Sequence, residues 1–189
     1  MHSQDNLTGK ILIAMPAMSD PRFTRTVVLI CEHSDQGTMG LILNRPLPEI
    51  GFSDLLAQLE IDTDGPRPVD IRYGGPVEPT RGFVLHRSDA PTDEDAGRLE
   101  VMPGLAMTAT RDILEDLARG RGPEAAVLAL GYCGWYAGQL EAEILDNGWL
   151  IGTPSQALVF GSEDALKWAE ALQGQGIDPS KLSGAAGRA

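Results

Sequence analysis

Lysine is scarce in this chain, aromatics are few, cysteine is nearly absent and no long apolar run occurs. Each shortage excludes something. Only Lys10, Lys167 and Lys181 supply lysine among 15 basic residues, against 27 acidic ones, for a net charge of −12. Nucleic-acid binding draws on clustered Lys and Arg that displace counterions from phosphates. Here the bases are scattered and no basic stripe forms. The charge therefore argues against direct contact with DNA, RNA or anionic membranes. No apolar stretch reaches the ~20 residues of a membrane helix. The polar start, Met1 to Lys10, lacks the apolar run of a signal peptide. These features predict a cytoplasmic protein, in which Cys31 and Cys133 are reduced thiols. Neither His-x-x-x-His nor Cys-x-x-Cys occurs, so no metal and no cofactor is predicted.

What is present suffices for one domain. The 189 residues are 42% hydrophobic but only 5% aromatic, so the predicted core is aliphatic. A chain of this length buries about 70% of its unfolded surface without a staple. The whole of 1–189 is expected to form it, with 1–8 and 183–189 frayed.

The β-branched run Thr24–His33 is the clearest strand. Its alternation puts Val27, Leu29 and Cys31 on one face, which makes Cys31 a core residue in expectation. Leu41–Leu43 returns as the second arm of a hairpin, around a four-residue loop at 34–37. Further strands are expected at Ile11–Met15, Val69–Tyr73, Arg81–His86, Arg98–Val101, Leu105–Thr108, Ala125–Leu130, Trp149–Ile151 and Ala157–Phe160. Helices are expected at Asp54–Leu59 with Ser53 as cap, Asp112–Ala118 with Thr110 as cap, Trp135–Asp146, and Glu163–Leu172 with Ser162 as cap. Hairpins, a late strand–helix unit and long middle loops favour α+β over a regular doubly wound sheet.

Few positions carry chemistry. Cys133, just before the expected helix, sits where a thiol pKa can fall, but no base is placed beside it by local sequence. His33 and His86 end strands, where solvation is the simpler reading. The acidic loop Asp89–Asp95 lacks the Gly and terminal Glu of a calcium loop. The stretch from Gly131 to Trp149 is the richest. Leu140 and Ile144 form an apolar stripe, and Gln139 and Glu143 lie on a neighbouring face with Trp135 near them. That face reads equally as a ligand surface or as polar groups satisfying a packing joint.

Several blocks resemble a known family: Gly9-Lys-Ile-Leu-Ile-Ala-Met-Pro, Gly40-Leu-Ile-Leu-Asn-Arg-Pro, Tyr73-Gly-Gly-Pro-Val, Gly82-Phe-Val-Leu-His and Gly131-Tyr-Cys-Gly-Trp-Tyr-Ala-Gly-Gln-Leu-Glu. In order and over nearly the whole chain they are similar to the bacterial YqgE/AlgH family. Cys133 stands where that family more often has Ala. The resemblance implies a single α+β domain with a branched or barrel-like β-structure surrounded by helices. It brings a transcriptional-regulator label but no reaction.

Three functions follow as expectations. The first is a binding or adaptor module for a protein or small ligand, using Asn44, Arg45, Tyr73, Gly74, Gly75, Trp135, Gln139 and Glu143 as one face; no catalytic residue is assigned. The second is an enzyme with a carboxylate acid/base near Glu143. The third is a transcriptional regulator, with direct DNA contact opposed by the charge. Oligomeric state is left open.

Overall fold

The computed structural model describes residues 6–65, 68–88, 97–161 and 163–182. The acidic loop at 89–95, the Ser162 cap and the tail 183–189 lie outside the described residues. Leu7 and Thr8, expected to fray, are tied down: the Thr8 hydroxyl accepts a hydrogen bond from the His33 amide (3.0 Å), and Leu7 packs on the core.

Among the described residues, nine strands form one curled sheet. They are β1 (Ile11–Ala14), β2 (Val27–Ser34), β3 (Gly37–Ile42), β4 (Asp70–Tyr73), β5 (Val77–Arg87), β6 (Arg98–Met102), β7 (Leu105–Thr108), β8 (Ala126–Tyr136) and β9 (Trp149–Gly152). The order is β6-β7-β5-β8-β3-β2-β1-β9, with β4 joined to β8 off that path. Five α-helices among the described residues flank the sheet: α1 (Phe52–Gln58), α2 (Arg111–Ala118), α3 (Gln139–Leu145), α4 (Gln156–Phe160) and α5 (Lys167–Gly174). The α+β class is thereby established, as a half-barrel.

Alternation explains why β1 and β2 read as nearly continuous apolar runs: both faces are buried. Ile11, Ile13, Val27, Leu29 and Cys31 face the main core beneath α4 and α5. Leu12, Ala14, Val28 and Ile30 face a second cluster with Cys133, Trp135, Leu140 and Trp149. A third cluster lies under α1 and α2 around Leu56, Ile71, Val84 and Leu128.

The sheet branches on β8. Its first half pairs antiparallel with β5 (Phe83↔Ala129) on one side and parallel with β4 (Ile71↔Leu128) on the other. Its second half pairs with β3 (Thr38↔Trp135). At the fork the Gly74 amide donates to Leu130 and its carbonyl accepts from Ile42. A Cβ on Gly74 would meet the Gly131 carbonyl oxygen at 2.3 Å, and one on Gly75 would meet the Tyr132 carbonyl carbon at 2.1 Å. Backbone touches backbone there, so only glycine fits.

Local pattern misplaced several boundaries. The β2–β3 loop is two residues, Asp35 and Gln36, because Ser34 already pairs with Gly37. Residues 157–160 are helical, not a strand, because the Ser155 hydroxyl caps α4 by accepting from the Leu158 amide (3.1 Å). Helix α1 starts at Phe52 with Gly51, not Ser53, as its N-cap. Thr110 holds the N-cap position of α2 without a side-chain cap bond. Trp135 and Tyr136 belong to β8, and α3 starts only at Gln139. Pairing with β3 keeps Trp135 extended, and Gly138, left-handed at φ 75°, turns the chain into the helix.

No described helix is long and apolar enough to cross a membrane.

Candidate functional site

The end of β8, the start of α3 and the loop 17–23 enclose a groove of about 430 Å³. Its walls include Asp20, Arg22, Phe23, Trp135, Gln139 and Glu143, with Cys133 and Gly134 from β8 between them.

Glu143 organises one wall. Its Oε2 accepts from the indole N–H of Trp135 (2.9 Å) and from that of Trp149 (2.8 Å). Its Oε1 accepts from the Gln139 amide nitrogen (3.0 Å), whose own oxygen caps the Tyr136 amide (3.1 Å). The two indoles meet edge to face at 6.1 Å, and Phe23 meets Trp149 at 5.7 Å. Two buried Trp residues need acceptors for their N–H groups. One carboxylate serves both, because α3 places residue 143 one helical turn after Gln139.

Across the groove, Asp20 caps a single 3-10 turn at Pro21–Phe23 and holds Arg22 through both carboxylate oxygens. The Arg22 hydrogen bond holds the Asp20 carboxyl below its usual range. Tyr73 packs on the same cluster; burial raises its phenol pKa, with the Cys133 thiol adding to the rise.

The thiols offer no nucleophile at neutral pH. Burial pushes Cys31 up to about 12 and raises Cys133 well above the ordinary thiol range. Cys133 is 1% exposed and donates to the Gly74 carbonyl (3.5 Å). The strand therefore gives this thiol none of the activation that a helix N-terminus would.

The histidines are not solvated strand ends. His86 Nε2 bonds the Thr108 hydroxyl at 2.8 Å, and burial lowers its pKa. His33 bonds the Thr38 hydroxyl (3.1 Å) and lies 3.6 Å from Glu141. No cluster of three metal-ligating side chains forms among the described residues.

The eight residues expected to share one face therefore separate. Trp135, Gln139 and Glu143 line the groove with Tyr73 against its floor. Gly74 and Gly75 are consumed by the branch of the sheet. Asn44 and Arg45 line a different depression, with Arg25, Asp164 and Trp168.

Asn44 is 5% exposed and works as a clamp. Its Oδ1 accepts from the Val27 amide (3.0 Å) and its Nδ2 donates to the Arg25 carbonyl (2.9 Å). Asn44→Ala leaves both backbone groups without partners, and we expect a loss of about 2 kcal/mol in urea unfolding.

Two features escaped the sequence reading. Arg22 and Asp20 sit in a turn cluster that gave no sign of facing β8. Lys167, on the last helix, is fully buried. Its pairing with Asp164 is local, but the carbonyls that bury it, Leu43 and Val159, lie 124 and 8 residues away.

With this geometry in hand, the comparisons with known proteins are specific. A family model described as AlgH-like matches residues 11–180. A UPF0301 protein of Paracoccus denitrificans (strain Pd 1222) is 59% identical over 191 residues, covering 100% of both chains. A UPF0301 protein of Jannaschia sp. (strain CCS1) is 52% identical, covering 97% of this chain and 96% of its own. The solution structure of the AlgH protein from Pseudomonas aeruginosa is similar at TM-score 0.78 and 41% identity, covering 100% of this chain and 99% of that one. A crystal structure of a Corynebacterium diphtheriae protein shares the fold at TM-score 0.71 and 21% identity, covering 92% and 89%.

Proposed function

The chain belongs to the AlgH-like family, and from that premise we infer that it is a binding module whose ligand lies in the groove between loop 17–23, the end of β8 and α3. The observation that carries this reading is the saturation of the two carboxylates that form the groove's facing walls, Glu143 and Asp20. Glu143 spends both oxygens on Trp135, Trp149 and Gln139, and Asp20 spends both on Arg22. An acid/base catalyst must exchange a proton with substrate; these carboxylates instead hold walls in place. A preorganised wall favours binding, because less freedom is lost when the ligand arrives.

The walls also suggest a ligand class. Asp20, Glu143 and Asp146 outnumber Arg22, the one basic residue lining the groove among the described residues. Phe23, Met18 and Trp135 add apolar surface. This combination favours a neutral or cationic group carrying an apolar portion, from a small molecule or a protein segment.

Gly134 provides the test. An added Cβ there meets Tyr132 and Val77 at ordinary distances of 3.6 and 3.8 Å, and Val77 lines the groove, so Gly134→Leu adds bulk on the groove's Val77 side without forcing the backbone. Small amines, neutral amides and carboxylates of matched size are titrated while the indole N–H signals are followed by NMR. Amines and amides are expected to shift the Trp135 signal and to lose at least tenfold in affinity in Gly134→Leu. Carboxylates binding equally well, or shifts indifferent to Gly134→Leu, would remove the proposal.

A further inference from the structure

The second depression, about 350 Å³ in volume, is built unlike the first, and Arg45 on its wall donates to the Thr24 carbonyl. Arg25, Arg45 and Asp164 line it, with the Trp168 ring as one wall. Behind Asp164 stand Arg72, 5% exposed, and Lys167, fully buried, both directed at the same oxygen, Oδ1. Asp70 lies 3.4 Å from Arg72 but is largely exposed. Four cations thus gather around two carboxylates in a chain whose overall charge is −12. Such a local reversal concentrates small anions against the field of the whole molecule.

Two of these four cations, Arg72 and Arg25, keep donors without acceptors among the described residues. Arg72 Nε is the one buried side-chain nitrogen or oxygen with no hydrogen-bond partner among the described residues. Arg25 makes no hydrogen bond through its guanidinium among the described residues; its charge rests over the Trp168 ring, 4.6 Å from the centroid. Burial chiefly, and then the nearby Arg72, lower the Lys167 pKa, while Asp164 and Asp70 oppose the shift.

The backbone is held in a costly conformation at the same place. Arg25 is left-handed, φ 54°, a region that L-residues other than Asn and Asp rarely adopt. Asn44 fixes it by binding the Arg25 carbonyl and the Val27 amide. The Thr26 hydroxyl adds a bond to the Phe23 carbonyl (2.8 Å). Strain kept in place by surrounding bonds is a mark of function when it aims a side chain. Here it sets Arg25 across Trp168 beside Arg45.

We propose that this depression is a binding site for a doubly charged tetrahedral oxyanion, free phosphate or the phosphate of a monoester, held by the guanidinium groups of Arg25 and Arg45. Two planar forks and an uncompensated pair of positive charges suit a dianion better than a single carboxylate. Asp164 stands at the edge as the group that limits affinity.

The test uses the full chain at constant ionic strength. Inorganic phosphate, glycerol phosphate, acetate and chloride are titrated in turn, and the Trp168 indole and arginine Nε–H signals are followed by NMR. Phosphate and glycerol phosphate are expected to saturate with shifts at Trp168 and Arg25; acetate and chloride are expected to give at least tenfold weaker responses. Tighter binding of glycerol phosphate identifies a monoester as the natural source, and equal or tighter binding of phosphate identifies the free ion. Arg25→Gly removes the guanidinium and relieves the left-handed strain. It should abolish saturation while leaving the urea midpoint unchanged or raised. Asp164→Asn should tighten binding several-fold. Phosphate behaving like chloride, or Arg25→Gly binding like the wild type, overturns the assignment. Neither result bears on the groove beside Trp135, which shares no lining residue with this site.

Discussion

Replacing Lys167 by alanine is expected to lower the free energy of unfolding by about 4 kcal/mol, the range for breaking a buried charge pair from one side. Lys167 Nζ donates to the carbonyls of Leu43 (3.2 Å) and Val159 (3.4 Å) and lies 3.1 Å from Asp164. Alanine would strip two buried carbonyls of their donor and leave a void where a four-carbon stem had packed. Arg72 still pairs with Asp164, which keeps the loss from growing further. Lys167→Met refills the space and removes the buried charge together, so it should lose only about 1–2 kcal/mol.

The two variants also separate packing from charge through pH. Burial, then Arg72, lowers the Lys167 pKa in the folded state, while the unfolded chain keeps the ordinary value of 10.5. Between the lowered value and 10.5, the unfolded chain binds a proton that the folded chain has released. Stability therefore rises with pH across that window, and the ammonium form is the less favourable one below it. Lys167→Met has no such group. Urea unfolding at a series of alkaline pH values should show the wild type gaining on Lys167→Met as pH approaches 10.5. A constant difference between them would mean that the lysine's pKa is not lowered by folding.

Lys167 also shows where sequence reading stops. On the last helix, spacings of three residues put Leu166, Ala169 and Leu172 on one apolar stripe. In the structure Leu166 is half exposed, and Lys167, Trp168, Ala171 and Leu172 are the buried residues. The helix begins four residues later than its composition suggests, and the rotation of its buried face is set by carbonyls 8 and 124 residues away. Nothing local carries that information. By contrast, Cys31 was legible as a core residue, because a two-residue period is a local property of a strand.

Strand β8 failed for the same reason as α5. The expected strand stops at Leu130, yet Gly131 and Gly134 lie inside an eleven-residue strand that runs on to Tyr136. What holds the strand together is pairing with β3, β4 and β5, none of them adjacent in sequence. Gly131 and Gly75 do mark something real, the crossing of two backbones at the branch. The motifs are thus most constrained where the fold forks. Gln139 and Glu143 were legible as polar neighbours on α3. The link between Glu143 and two tryptophans was not, since Trp135 was placed on the helix itself.

That link carries the last prediction. Glu143→Ala is expected to lower unfolding stability by about 3 kcal/mol. It removes three hydrogen bonds to a charged acceptor, each worth about 1.5–3 kcal/mol when buried and less at this partly exposed position. The indole N–H groups of Trp135 and Trp149 lose their acceptor together, because both reach the same oxygen. Glu143→Gln should fall between, losing about 1 kcal/mol. Its one carbonyl oxygen can still serve both indoles through two lone pairs. Its amide nitrogen then faces the Gln139 amide nitrogen, donor against donor. Gln139 can answer by turning over, but it then gives up the Tyr136 amide. In a Gln139→Ala background that conflict is gone, so Glu143→Gln should become nearly neutral there.

The indole signals decide whether the wall works as described. Trp135 and Trp149 should shift in concert in Glu143→Ala, while Trp168, bonded to the Ala14 carbonyl at 2.8 Å, stays in place as an internal reference. Movement of only one indole, or unchanged stability, would show that the carboxylate does not tie β8, α3 and β9 together. The groove would then have a flexible wall, which a ligand would have to order on binding, and the site would not be preorganised.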